Sequence, residues 1–310
     1  METKTILIIG ATGTFGRYIT QGLTHQNFRI KALVRDSFKA RLIHPPSVEL
    51  IQGDVFNISD LENALDGVDG IYINLNACSK IASEDRYPMI DGLKNLLIVC
   101  RIHNVKHVMM HTMINRSFPM SDKGVCDAAN IHNRSVELLK NSGLPYTIFN
   151  CSLFFENFLH NFRKGNNIRI LGNGSFPIHW ISAIDFGKQA SKAFFHEEAL
   201  NQEFSIQGTE AWTLQDAAEL YVNQHKSEKL RLTKLSGNLL RLLVRIRPAL
   251  HEKALWFDRV NSYPEKFQSE NAWKLFGVPP TTLSEFAREG NLTKSRAHKM
   301  PNFYKASVSS

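Results

Sequence analysis

Residues 8–19 read IIGATGTFGRYI, which sets Gly10, Gly13 and Gly16 three apart after the apolar run Ile6–Ile9 and before a helix-like stretch. Strand, glycine-rich turn and helix in that order form the opening of a phosphate cradle. Gly10 makes the tight turn, Gly13 lets the backbone approach a pyrophosphate, and Gly16 lets the helix pack close to the sheet. Thr12, Thr14 and Phe15 fill the loop between them. The helix start then offers free N–H groups and a positive dipole end to the phosphates.

The pattern continues outward from this unit. Strands are expected at Thr5–Ile9, Phe28–Val34, Val48–Gln52, Gly70–Leu75, Lys106–Thr112 and Tyr146–Cys151. Helical patterns lie between them at Thr14–Gln26, Phe38–Ile43, from Ser59 or Asp60 (either one a possible N-cap) through Leu65, Pro88–His103 and Ala128–Ser142. Six strands separated by helices imply an α/β, doubly wound parallel sheet of the Rossmann type with right-handed crossovers. Beyond Cys151 the rhythm changes: an apolar helix at Leu153–Phe162, a turn-rich stretch at Gly165–Gly174, and a strand at Phe176–Ile181 are expected. A helix at Ile184–Phe195 and one more strand near Phe204–Gln207 return to the main sheet, and 212–290 is helix-rich with caps at Thr213 and at Thr282 or Ser284. The expected division is a dinucleotide-binding domain over 1–152, with 176–208 returning to it. A smaller, mostly helical lobe over 153–175 and 209–293 covers the substrate, and 294–310 is an aperiodic tail expected to be mobile.

Composition narrows the class. Of 310 residues, 43% are apolar and 21% charged, the balance of a globular chain. No apolar run reaches the roughly 18 residues a membrane span needs, and no signal-peptide core precedes the first strand. Cys78, Cys100, Cys126 and Cys151 have no metal-ligand spacing, so reduced thiols and a cytoplasmic location are expected. His103, His107 and His111 stand four apart, but Asn104-Val105 ends the helix between them, and no metal is expected. Residues 226–310 hold 16 Lys and Arg against 7 Asp and Glu, so the net charge of +8 belongs to the C-terminal third. That lobe reads either as a solvated basic face or as a surface for an anionic partner. No nucleic-acid motif is present.

The residue closing the second strand selects the cofactor. An acid there marks NAD, whereas Arg35 suits a 2′-phosphate and favours NADP(H) over NAD(H). Asp36 keeps NAD open, and Lys39 and Arg41 read equally as phosphate contacts or as a solvated helix face. In 239–246, Arg241 and Arg245 form a narrow basic stripe among leucines, favouring a lid helix over a membrane-surface helix. Trp212, Trp256 and Trp273 either line an apolar pocket or fill the lobe.

The stretches GATGTFG, LVRD, VELIQGDVFNISDLENALDGVDGIY, VKHVMMHT, NSGLPYTIFNCSLFFENF and FPIHWISAIDFG span roughly residues 5–190. Through them the chain resembles the NmrA-like group of atypical short-chain dehydrogenases/reductases. The resemblance implies that Asp54 and Val55 line the adenine pocket, that Asn74 ends strand four beside the cofactor, and that Thr112 stands near the nicotinamide. Asp54 as a helix cap and Thr112 as a plain strand end are the alternatives.

Departures from the wider superfamily bear on chemistry. Its reductases use a Tyr-x-x-x-Lys pair, and none of the seven tyrosines here has Lys four residues on. Ala128 and His132 occupy the two positions, and Asn150-Cys151 replaces the usual Arg-Pro, although Glu156-Asn157 is retained. An ordinary imidazole titrates near neutrality, so His132, with Thr112, is the candidate for proton handling. His111 is expected on the opposite face from Thr112. Cys151 reads as a small apolar strand residue or a redox-sensitive thiol. Two functions follow: a reductase of a small apolar carbonyl, quinone-like or phenolic substrate, or a non-catalytic NAD(P)(H) sensor that regulates a protein partner.

Overall fold

The computed structural model describes residues 3–77, 86–114, 128–171, 174, 176–235 and 264–289. Expectations about Cys78, Cys126, the Arg241/Arg245 helix, Trp256 and the 294–310 tail fall outside these residues.

Seven strands form one sheet: β1 (Thr5–Ile9), β2 (Arg29–Val34), β3 (Val48–Gln52), β4 (Gly70–Ile73), β5 (His107–Met113), β6 (Tyr146–Cys151) and β9 (Gln202–Ile206). Their order is β3-β2-β1-β4-β5-β6-β9, and every pairing is parallel. Because strand side chains alternate, β1 sends Ile6 and Ile8 to one face and Leu7 and Ile9 to the other. The first face carries α1 (Gly16–Leu23), α2 (Ser37–Arg41) and α6 (Ala183–Ala193). The second carries α3 (Ile58–Leu65), α4 (Leu93–Ile102) and α5 (Ala128–Lys140), with a π-helical turn at Pro88–Gly92 leading into α4. Helices α1 and α6 cross in backbone contact, because a Cβ on Gly22 would meet Ile184 O and one on Gly187 would meet Ile19 O.

The second lobe has its own core of Phe155, Phe158, Phe162, Trp180, Leu214 and Tyr221, among others. Helices α7 (Leu214–Gln224) and α9 (Leu283–Glu289) contribute to it, while α8 (Glu270–Phe276) packs Ala272 and Phe276 against the main sheet. The lobe also holds a small sheet, which corrects the turn-rich expectation for 165–174. Strand β8 (Asn167–Leu171) lies between β7 (Arg163–Lys164) and β10 (Arg231–Leu235). Leu153–Phe162 supplies only a 3₁₀ turn at Phe155–Phe158 rather than a helix. Phe176–Ile181 makes single bridges, Ile178 with Trp212 and Phe154 with Ile181, in place of a strand.

Caps explain several helix starts. Thr213 accepts from Asp216 N and donates to its carboxylate, and Thr282 exchanges the same pair of bonds with Glu285. For α3 the cap is Asn57, which accepts from Ser59 N at 3.0 Å; neither Ser59 nor Asp60 fills that place. Asp60 instead accepts from Asp54 N.

Candidate functional site

The glycine loop is held by one side chain. Gly10 has φ +79°, and a Cβ there would run into the Asn74 carbonyl. Strand β4 stops at Ile73, two residues short of the expected end, because Asn74 turns aside to brace this loop. Its backbone N–H donates to Ile9 O at 2.9 Å and its side-chain amide donates to Gly10 O at 3.0 Å. Gly16 leaves the room for that amide, since a Cβ would collide with both Gly10 O and Asn74 Nδ2. At Gly13 the demand is looser: a Cβ would stand 3.2 Å from Gly10 O. Phe15, the N-cap of α1, supplies no side-chain hydrogen bond and stacks obliquely on Phe154 at 5.1 Å. Thr12, Gly13 and Thr14 remain partly exposed. The result is a helix start without a side-chain cap behind a glycine loop that carries no Cβ at three positions, and it fits a phosphate.

At the end of β2, Arg35 is exposed and makes no ion pair among the described residues. Asp36, the acid that would read a ribose hydroxyl, caps α2 by accepting from Lys39 N at 2.9 Å. It also pairs with the Lys39 ammonium at 3.1 Å. Those contacts with Lys39 hold the Asp36 carboxyl below its usual range. Arg35 is therefore left available beside the cradle, as is the exposed Arg41 on α2.

Beyond β3, Asp54 accepts from Phe56 N at 3.0 Å while its own N–H is held by Asp60. Asn95 donates to the carbonyls of Val55 and Phe56, and Val55 is buried against Gly92. The Asp54–Phe56 turn is thus a fixed platform rather than a loose loop.

On β5 the two neighbouring polar residues diverge. Thr112 is 2% exposed, and its hydroxyl has no hydrogen-bond partner among the described residues. His111 bonds through Nδ1 to Tyr72 Oη at 2.6 Å, stacks on that ring, and lies among Phe154 and Phe186. Burial, with a smaller contribution from the charge of His132, brings His111 down to about 3, so its ring is neutral. His132 itself lies on α5, which packs against β5 and β6. Cys151 is buried and free, and burial raises its thiol far above the usual range, so it is an unreactive core residue.

Three groups carry no clear mark in the sequence. Arg17, directly after Gly16, is partly buried with its Nε sealed from solvent. Tyr18 and His160 join α1 to the second lobe through an Oη–Nε2 hydrogen bond of 2.8 Å. Glu265 gathers Ser152 Oγ, Gln207 Nε2 and His179 N–H, tying its segment over the ends of β6 and β9. Among the described residues no group of three or more His, Cys, Asp or Glu could hold a metal ion. No helix of these residues is long and apolar enough to cross a membrane.

Gly10, Gly13, Gly16, Arg35, Asp54, Asn74 and Thr112 thus all stand at the carboxyl ends of parallel strands, on one edge of the sheet. That is where doubly wound folds receive ligands. Comparison with known proteins gives a matching outline. An NAD(P)H azoreductase of Xenophilus azovorans is 27% identical over 210 residues, covering 66% of this chain and 68% of that protein. A photosystem II assembly factor of Cyanophora paradoxa is 26% identical over 220 residues, 69% and 67% of the two chains. Among solved structures, the Escherichia coli NADPH-dependent quinone oxidoreductase complexed with NADPH superposes with a TM-score of 0.69. It is 22% identical, with 93% of this chain and 99% of the other covered, a likeness of fold. The model of the NmrA-like family matches residues 2–287, and the chain belongs to that family.

Proposed function

We propose that this chain binds NADP(H) on the Gly10–Gly16 loop and reduces a small apolar carbonyl, quinone-like or phenolic substrate. The observation that carries the reading is the brace between Asn74, Gly10 and Gly16, which leaves the start of α1 without a side-chain cap. Arg35 meets the 2′-phosphate, a role favoured by the engagement of Asp36 with Lys39. Asp54 and Val55 form the adenine side. When bound, the nicotinamide supplies a hydride. Thr112, a buried hydroxyl at the end of β5, orients the substrate oxygen, and His132 holds the ribose or moves the proton. The lobe of 153–175 and 209–293 covers the substrate. The names of the azoreductase and quinone oxidoreductase relatives support this chemistry. A cytoplasmic site of action suits the free, buried thiols of Cys100 and Cys151.

The test is NADPH titration followed by NADPH oxidation against quinones, azo dyes and aldehydes. Micromolar binding with turnover on one class is expected, and His132→Ala should lower that turnover more than Thr112→Val. Failure of the wild type to bind either dinucleotide overturns the reading. A second reading, a dinucleotide-responsive protein that regulates a partner, is favoured by Ala128 and His132 at the Tyr and Lys positions and by the assembly-factor relatives. Binding without turnover across the panel selects it.

A further inference from the structure

Arg17 is the second residue of α1. Its backbone N–H donates to Gly13 O, but among the described residues its side chain makes no hydrogen bond or ion pair, and its Nε is buried. A guanidinium drawn partly out of water without a counter-charge costs stability. Glu156, whose charge acts with that of Arg17 on Tyr18, is engaged with Ala183 N and Ser182 Oγ. Tyr18, His44 and His160 feel the charge of Arg17; the two histidines are held toward the neutral form mainly by burial, with Arg17 acting in the same direction.

His44 closes the same corner from the α2 side. It is only 7% exposed, and the backbone of Ala11 inside the glycine loop is close enough to act on its ring. Its Nε2 is buried with no partner among the described residues. A cation without an anion and an unpaired ring nitrogen therefore flank the loop, beside a helix start whose dipole is positive.

We propose that Arg17 and His44 contact a phosphate of the bound dinucleotide, with Arg17 as its counter-charge. The inference rests on the dinucleotide reading above and adds two residues to it. A planar guanidinium can hold a phosphate with two parallel bonds, which explains why the position is left unpaired in the protein itself. Two phosphates are within the chemistry, the pyrophosphate and the 2′-phosphate of the adenosine ribose.

Wild type and Arg17→Ala are titrated with NADPH and with NADH, by calorimetry and by tryptophan fluorescence. A loss of roughly ten- to a hundredfold is expected, the range for a hydrogen bond to a charged group. Equal losses for both cofactors assign the pyrophosphate, and a loss confined to NADPH assigns the 2′-phosphate. The melting temperature of Arg17→Ala should stay level or rise, since an unanswered charge is removed. Unchanged affinity for both cofactors, or a fall in melting temperature of several degrees, overturns the proposal. Should the alanine variant aggregate, Arg17→Gln gives the same readout. If the wild type binds neither dinucleotide, the parent reading fails and inorganic pyrophosphate becomes the probe. Binding lost in Arg17→Ala then keeps Arg17 as an anion ligand, and no binding by wild type overturns this inference too.

Discussion

Helices α1 and α6 lie side by side on one face of the sheet, yet they begin in opposite ways. At the start of α6, Ser182 Oγ accepts from Ile184 N at 3.2 Å and from Asp185 N at 3.4 Å. Glu156, fully buried, accepts from Ala183 N at 2.9 Å. At the start of α1 the N-cap is Phe15 and no side chain caps it. The start of α6 is completed by a carboxyl group from the chain itself, and that of α1 is shaped to receive an acceptor from outside. Glu156 does for α6 what a phosphate would do for α1.

The comparison can be broken from either side. The largest effect belongs to Gly13→Val, whose branched side chain would stand before the start of α1, its Cβ 3.2 Å from Gly10 O and 3.4 Å from Asn74 Nδ2. Dinucleotide affinity should fall more than about a hundredfold with the fold kept. Titration with circular dichroism as the control checks this, and near-normal binding in a folded variant refutes the cradle. Next, Arg35→Ala should weaken NADPH by about 1.5–3 kcal/mol and leave NADH nearly unmoved. Equal losses for both would assign Arg35 to the shared part of the cofactor or to the fold.

The α6 side predicts a pH effect. Burial, ahead of any other influence, raises Glu156 to about 7. Between its ordinary value and about pH 7 the folded state therefore binds more protons than the unfolded one. Its contribution is full below the ordinary carboxyl value and is lost as pH rises through about 7. Denaturant midpoints across pH 4–8 should show that decline, and Glu156→Gln should flatten it. An identical slope in the variant would remove Glu156 from the account. The smallest effect is Ser182→Ala, expected to cost about 1 kcal/mol, or roughly 2 °C in melting temperature, with cofactor affinity untouched. A change in affinity there would mean that the two helix starts are coupled.

The main sheet was legible because its strands are short apolar runs punctuated by turn residues, and the six expected strands all appear in the observed order. The glycine loop was legible from its spacing together with its place between an apolar strand and a helix. Strand β8 was not, because Asn167–Leu171 sits between Gly165 and Gly174 and finds its parallel partner only at Arg231–Leu235. A five-residue strand whose pairing is that remote leaves little local signal. The α3 cap was misread since Asn57, Ser59 and Asp60 all carry suitable oxygens, and only the backbone path chooses Asn57. Arg17 in a sequence is one more charged residue on a helix; what sets it apart is the lack of a partner, a property that only the folded chain possesses.

The order of β9 in the chain bears on how the protein is made. Strand β6 acquires its outer neighbour only after β7, β8 and α6 have been synthesised. Thr147 Oγ1 waits for the Ala199 carbonyl, and Asn150 for the Glu203 carboxylate. At about 5–20 residues per second of translation, the edge of β6 stays bare for several seconds on the ribosome. Its inner ladder to β5 is complete by then, so β6 offers one open edge, at the end of the sheet opposite β3, rather than the two edges of a loose strand. Fragments that end before Gln202 keep that edge permanently, which makes the reach of the chain past β9 a condition for a non-aggregating product.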